Sequence, residues 1–254
     1  MSQFKTPIPM GSARKKRRSP GSVLREAWLM HKFRASRYDA GFDYDWHAMR
    51  YNRLAVVNLL MSGRPGGDYL EIGCAGNQLF DAVIARHKTG IDPVRGGTHR
   101  MTSDAWFAAN PQARFDVIFI DGLHTYDQVR RDLVHALGAT RQGGWIALHD
   151  MLTRDWVDEH VPQISTAGWT GDGWKCAFEL AATAGLDFRL IAIDHGVLVI
   201  KVGQPGIELS DMRVDLASRR FDYLHLNAGK LPIADWDEAR TWIESQFQPE
   251  FTNR

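Results

Sequence analysis

Hydrophobic positions recur along this chain in two rhythms. From Trp46 to Ser62 they fall at helical spacing (Tyr51, Leu54, Ala55, Val57, Leu59, Leu60), which predicts a helix; the breakers Gly63-Arg64-Pro65-Gly66-Gly67 end it. From Asp68 onward short apolar runs take turns with helical stretches. Tyr69–Ile72 reads as a first strand, 77–86 as a helix, Thr89–Ile91 as a second strand and His99–Met101 as a weak third. A short helix at 106–110 precedes Phe115–Ile120, an almost wholly apolar fourth strand of the kind buried on both faces. Tyr126–Ala139 is a helix, Gly143-Gly144 opens a fifth strand at Trp145–Leu148, and 175–184 is helical. Phe188–Ile193 and Val197–Lys201 close the set around the tight turn Asp194-His195-Gly196.

Alternating strands and helices imply an α/β fold, a mainly parallel sheet with helices on both faces. The last two strands leave no room for a crossover helix, so they must run antiparallel. The expected organisation is a disordered leader over 1–20, a helical N-terminal extension over 21–67, a central domain over 68–203, and a C-terminal extension over 204–254 with a helix near Glu238–Gln246.

Composition narrows the class without naming it. Hydrophobic content of 44% and charged content of 24% are ordinary for a globular chain. No apolar run approaches the roughly 20 residues of a membrane span, and the N-terminus lacks the apolar core of a secretory signal. Two cysteines, Cys74 and Cys176, have no metal-type spacing; a reducing cytoplasm is expected. The net charge of +1 conceals an asymmetry: residues 1–37 hold ten Lys or Arg against the single acid Glu26, and the remainder holds 21 bases against 29 acids. A basic arm on an acidic body can engage nucleic acid or an anionic carrier. It can equally be a solvated leader, since no aromatic residue interleaves Arg14–Arg18 as base stacking would want.

Candidate chemistry begins where the first strand ends, at Glu71-Ile72-Gly73-Cys74-Ala75-Gly76-Asn77. Small residues there let backbone approach a ligand, and the next helix offers free N–H groups. Asp92 ends the second strand nineteen residues after Gly73, where a carboxylate accepts ribose hydroxyls. A nicotinamide dinucleotide fingerprint would need Gly at 73, 75 and 78, but Ala75 and Gln78 stand there. The plain alternative is a loop turned by Gly73 and Gly76 with Asp92 as a helix cap.

Glu71-Ile72-Gly73, Gly90-Ile91-Asp92-Pro93, Thr102-Ser103-Asp104, Phe119-Ile120-Asp121-Gly122-Leu123-His124-Thr125-Tyr126, Leu148-His149-Asp150 and Gly171-Asp172-Gly173-Trp174-Lys175 resemble a bacterial branch of class I S-adenosylmethionine-dependent methyltransferases akin to those that O-methylate macrolide sugars. The resemblance covers about residues 68–203 and is most specific at Ile120–Tyr126. It implies a Rossmann-like, mainly parallel seven-stranded sheet with an antiparallel last strand. It implies S-adenosylmethionine held by Glu71, Gly73, Cys74, Ala75, Asn77 and Asp92, with Ser103 and Asp104 beside the adenine and Asp121 and Gly122 lining the cofactor. Ala75-Gly76-Asn77 departs from the family, where a further glycine is common.

In that sheet order Asp121 and His149-Asp150 end neighbouring strands. Two adjacent carboxylates repel unless a proton or cation lies between them, so a divalent cation, Mg or Mn, is expected on Asp121, His149 and Asp150. The sugar-modifying relatives carry a second acid where His149 stands; an imidazole favours manganese or another transition ion, or it points away and leaves the two aspartates alone. By resemblance His124 is the general base. Tyr126, Trp174 and Lys175 are candidate substrate contacts, with a core position the alternative for Trp174. His195 is expected at the surface. The bland alternatives are helix caps for Asp121 and Asp150 and a packed ring for His124. The function these readings support is metal-assisted O-methylation of a small hydroxylated molecule, a sugar or natural product, with no nucleic-acid partner and no membrane span, and with homo-oligomerisation left open. The rivals are a methyltransferase-fold protein acting on RNA or an anionic carrier through the basic arm, and a non-catalytic cofactor-binding module.

Overall fold

The computed structural model describes residues 19–46, 49–165 and 168–247; most of the basic leader, residues 1–18, lies outside them. Ten helices and seven strands follow one another among the described residues. Helices α1 (Pro20–Lys32) and α2 (Arg53–Ser62) precede β1 (Asp68–Ile72), α3 (Gln78–Ala82), β2 (His87–Ile91), α4 (Ser103–Ala109), β3 (Phe115–Ile120), α5 (Tyr126–Ala139) and β4 (Thr140–Leu148). Then come α6 (Trp156–Glu159), α7 (Lys175–Ala182), β5 (Asp187–Ile191), β6 (Val197–Lys201), α8 (Arg213–Leu216), α9 (Phe221–Asn227), β7 (Ile233–Ala234) and α10 (Trp236–Ser245).

The strands form one sheet in the order β2-β1-β3-β4-β6-β5-β7. Strand β6 is antiparallel to both its neighbours, and every other pairing is parallel. Seven strands are present as expected, but the seventh is not the one expected. His99 makes only a single bridge to Ile91, and the missing strand is made up at the other edge by β7. The antiparallel member is therefore the penultimate strand in sequence. Strand β3 buries Ile118 and Ile120 in one cluster and Val117 and Phe119 in the other, so both faces of the sheet are covered. The flanking segments share this core: Val56, Val57 and Leu60 of α2 and Trp242 and Ile243 of α10 pack in the same cluster as Val117 and Phe119.

Three helices are shorter than periodicity predicted; α7 stops two residues early, at Ala182, and two others differ for local reasons. In the stretch expected as a helix over 46–62, α2 begins at Arg53, because Asn52 is extended and its Oδ1 accepts the Leu54 N–H (3.1 Å) as an N-cap. Tyr51 instead stacks on Trp236, ring centroids 4.3 Å apart. Helix α3 stops at Ala82, because the Lys88 ammonium takes the carbonyls of Phe80 (2.7 Å), Asp81 and Val83 (3.3 Å each) and satisfies acceptors a longer helix would have used.

Register brings the site together. Ile72 pairs with Ile120, and Ile120 with Leu148, so Gly73, Asp121 and His149 leave their strands side by side. The ladder extends one step beyond the strands: Asp121 N–H donates to Ile72 O (2.8 Å) and His149 N–H to Ile120 O (3.0 Å). None of the described helices is long and apolar enough to cross a membrane.

Candidate active site

The loop after β1 is held by its contacts. Gly73 has φ +89°, and a Cβ there would lie 2.1 Å from Asp121 O, so no side chain fits this close crossing of two strand exits. Asp92 fastens the loop from the other side. Its Oδ2 accepts Ala75 N–H (2.9 Å), and its Oδ1 accepts Val94 and Arg95 N–H (2.8 Å each). Burial opposes its charge, but the Arg95, Ala75 and Val94 amides outweigh that and hold the carboxyl below its ordinary pKa. Asn77 Oδ1 accepts Gly97 N–H (2.7 Å), and the buried Cys74 thiol, pushed up to about 12 by burial, packs beneath Gly90 and Gly97. Cys74, Asn77 and Asp92 thus build the loop. Glu71 is buried and accepts the Tyr69 hydroxyl (2.6 Å); burial raises its carboxyl to about 7.

Ser103 and Asp104 lie in the first turn of α4, and both face α5. Ser103 Oγ donates to Asp132 Oδ1 (2.5 Å), and Gln128 Nε2 donates to the same oxygen (3.0 Å). Asp104 is half exposed and faces Arg131 Nε and His135 Nε2, each at 3.3 Å. Asp132 Oδ2 is buried with no hydrogen-bond partner and lies 3.6 Å from where a Cβ on Gly122 would sit. An unpaired buried acceptor is costly. Its place under the exit of β3, beside Gly122, fits a nucleoside-bearing ligand that offers a donor.

At the exits of β3 and β4 the charges concentrate. One donor atom each from Asp121, His124 and Asp150 lies within 4.8 Å of the others, and His124 Nε2 is 3.4 Å from Asp150 Oδ2. Two oxygen donors and an imidazole suit a divalent cation. His149, the other expected ligand, touches both carboxylates of this group. Its buried Nδ1 sits between Asp121 Oδ1 (3.2 Å) and Asp150 Oδ1 (3.3 Å), and its Nε2 faces Arg53 Nη1 (2.6 Å). Burial opposes protonation of His149, but Asp150 and Asp121 outweigh it and hold its pKa well above the ordinary value.

A pocket of about 360 Å3 opens beside the cluster, lined in part by His124, His149, Asp150, Gln163, Trp169 and His195. Trp169 meets the His124 ring edge-on at 5.7 Å. His195, expected at the surface, is partly buried in this lining, because Gly196 packs its hairpin against Leu152. Sequence reasoning also missed Arg53, Asp132 and Asp194. Asp194 Oδ2 accepts the Arg53 N–H (3.0 Å) and anchors the start of α2 to the hairpin.

The three candidate substrate contacts are not in the pocket lining. Tyr126, Trp174 and Lys175 are all buried, Lys175 only 1% exposed. Asp172 explains why: its Oδ1 accepts Tyr126 N–H (2.7 Å), its Oδ2 accepts Lys175 Nζ (2.9 Å), and its own N–H donates to His124 O (3.1 Å). The Gly171–Lys175 segment braces His124 from behind. Glu159 lies nearby, 1% exposed, and burial, aided by Asp172, raises its carboxyl from 4.5 to about 7. A raised folded pKa favours the native state fully below pH 4.5, and that benefit is lost as pH rises through about 7. Glu159→Gln is expected to raise Tm by several degrees at pH 8, corresponding to at most ~3 kcal/mol, with the gain vanishing by pH 4.5. Thermal melts across pH check this, and an equal gain at both ends would refute it.

The strand order, with β6 alone reversed, and the acid-bearing loops at the parallel strand ends give a Rossmann-like α/β sheet. Residues 44–151 match the family model described as a methyltransferase domain. Three solved structures show similarity. MycE methyltransferase from the mycinamycin biosynthetic pathway, with Mg, SAH and mycinamycin VI, is 16% identical with a TM-score of 0.41 over 74% of this chain. This chain spans 57% of that protein's length. An O-methyltransferase from Bacillus cereus with SAH is 12% identical, TM-score 0.42, covering 74% of this chain and 93% of that one. TomG from Streptomyces achromogenes, an O-methyltransferase involved in tomaymycin synthesis, in complex with SAM, is 14% identical, TM-score 0.42, covering 74% and 92%. No curated protein sequence matches the chain.

Proposed function

We propose that this protein transfers a methyl group from S-adenosylmethionine to a hydroxyl of a small hydroxylated molecule, a sugar or natural product, seated beside His124. The observation that carries the reading is the convergence of Asp121, His124 and Asp150 on one point next to the glycine turn of β1. S-adenosylmethionine supplies a methyl group on a sulfonium, and a divalent cation supplies charge that makes a hydroxyl more acidic. Gly73 leaves room for the cofactor backbone to backbone, Asp92 keeps the turn in shape, and Asp132 Oδ2 accepts a donor from the nucleoside. Asp121 and Asp150 provide oxygen donors for the cation. His124 takes the proton of the acceptor hydroxyl, and Asp150, 3.4 Å from its Nε2, stabilises the imidazolium that forms. The pocket volume of about 360 Å3 lies at the small end of ligand sites, in keeping with a single-ring acceptor moiety. Two buried free thiols are at home in a reducing cytoplasm.

A screen of hydroxylated acceptors with labelled methyl donor tests the reading; full turnover in excess chelator would overturn the role of the cation. In His124→Ala, kcat is expected to fall ~10²–10⁴-fold while cation affinity stays unchanged. The convergence itself favours one second arrangement, with His124 as a third ligand. In that case the same variant binds the cation at least tenfold more weakly in calorimetry.

A further inference from the structure

Arg53 opens α2, and its side chain reaches the ends of β3 and β4. Its backbone N–H, not its guanidinium, makes the close contact with Asp194 (3.0 Å). Among the described residues, the guanidinium itself has no carboxylate within hydrogen-bonding distance. Its nearest carboxylate oxygens are Asp194 Oδ2 at 3.6 Å from Nη1 and Asp121 Oδ2 at 4.0 Å from Nε. The atom it does touch is His149 Nε2, at 2.6 Å from Nη1, and that ring is claimed by Asp121 and Asp150 on its other side. A guanidinium carries five donors in a planar fork suited to two oxygens of one carboxylate. Here the fork is held in a partly desolvated place, 34% exposed, with its best geometry unused.

The surrounding charge says what kind of ligand needs it. Glu71, Asp121, Asp150 and Asp194 all act on Arg53 electrostatically. An anionic group arriving among four acids is repelled unless a cation meets it. S-adenosylmethionine brings such a group, the α-carboxylate of its methionine portion, and the exit of β1 at Glu71 is where that portion belongs on the reading above.

We propose that Arg53 is a cofactor-binding residue that receives the α-carboxylate of S-adenosylmethionine. This rests on the S-adenosylmethionine reading. It makes α2, which lies ahead of the sheet in sequence, part of the cofactor site, with Asp194 as the post that fixes its first residue.

The test compares two ligands by calorimetry with Mg present: S-adenosylhomocysteine, and its decarboxylated analogue S-adenosyl-3-thiopropylamine, which keeps the adenosine, thioether and amine. Wild type is expected to bind the former about 10- to 100-fold more tightly. Arg53→Met is expected to lose that preference by weakening S-adenosylhomocysteine alone, leaving the analogue within about threefold, and Arg53→Lys to restore part of it. An Arg53→Met protein that keeps the wild-type ratio overturns the proposal while leaving the cofactor reading intact. A wild-type protein that binds neither ligand overturns both. Should the methionine variant fail to fold, an Arg53→Lys protein with the full wild-type ratio overturns the proposal, and one with a reduced ratio supports it.

Discussion

Gly171→Ala is expected to lower Tm by about 10 °C and kcat by about 100-fold. Gly171 has φ +67°, and a Cβ there would lie 1.8 Å from His124 O and 2.9 Å from His124 Cβ. A left-handed conformation costs an alanine roughly 1–2 kcal/mol. The overlap is with backbone, so relief requires His124 or the Gly171 turn to move by about an ångström. Together these amount to ~3–5 kcal/mol, among the larger effects of a single substitution, or about 10 °C for a domain of this size. The displaced group is the assigned base, and a misplacement of that size can cost ~100-fold in rate. Gly185→Ala is the control. Its φ is +82°, yet nothing lies within 4 Å of a Cβ there, so it carries the conformational penalty without the overlap. Melting curves and single-turnover rates on both variants separate the two effects. Equal losses in the two proteins would mean that the segment behind His124 is not a brace.

That brace was in the sequence as a motif, but its role was not. Gly171-Asp172-Gly173-Trp174-Lys175 has the residue types of a ligand contact, and only burial shows that Asp172 turns its charge inward to Lys175 and the start of α5. By contrast β3 and α5 were found where periodicity predicted them, residue for residue. A strand apolar on both faces and a helix with a clean stripe leave little to tertiary context. The meeting of Asp121 with His149-Asp150 was legible because register follows from those strands. The direction of the His149 ring was not, since it depends on Arg53, which lies 68 residues before Asp121. Asp194 and His195 looked like turn formers, and they are: both have positive φ. Their turn also lines the pocket, because it packs on Met151 and Leu152 just past β4. One missed residue did leave a signal. Val129, Leu133 and Ala136 form the buried stripe of α5, and Asp132 falls on the same i, i+3, i+4, i+7 face. An acid in an apolar stripe needs a buried partner, and Ser103 is that partner.

Asp150→Asn should separate chemistry from architecture at the centre of the site. Asp150 has φ +59°, a conformation asparagine adopts as readily as aspartate, so the exchange keeps backbone and volume and removes only charge. Asp150 faces His124 Nε2 at 3.4 Å and His149 Nδ1 at 3.3 Å. Without its charge the proposed cation site loses one of two carboxylates, and a His124 acting as the proposed base loses the counter-charge for its imidazolium. Each contribution is a matter of kilocalories in a partly desolvated site, and kcat is expected to fall ~10³-fold with Tm within a few degrees of wild type. Asp194→Asn is the matched comparison. Asp194 also has positive φ, also faces His149 (3.6 Å), and holds the Arg53 N–H through an oxygen that asparagine retains. It lies outside the converging cluster, so its loss of charge should cost less than tenfold. If the two variants lose activity equally, the charge of the whole acidic group matters and not its placement at Asp150. If Asp150→Asn alone fails, the carboxylate at the end of β4 acts on the reacting hydroxyl, through His124 and the bound cation together.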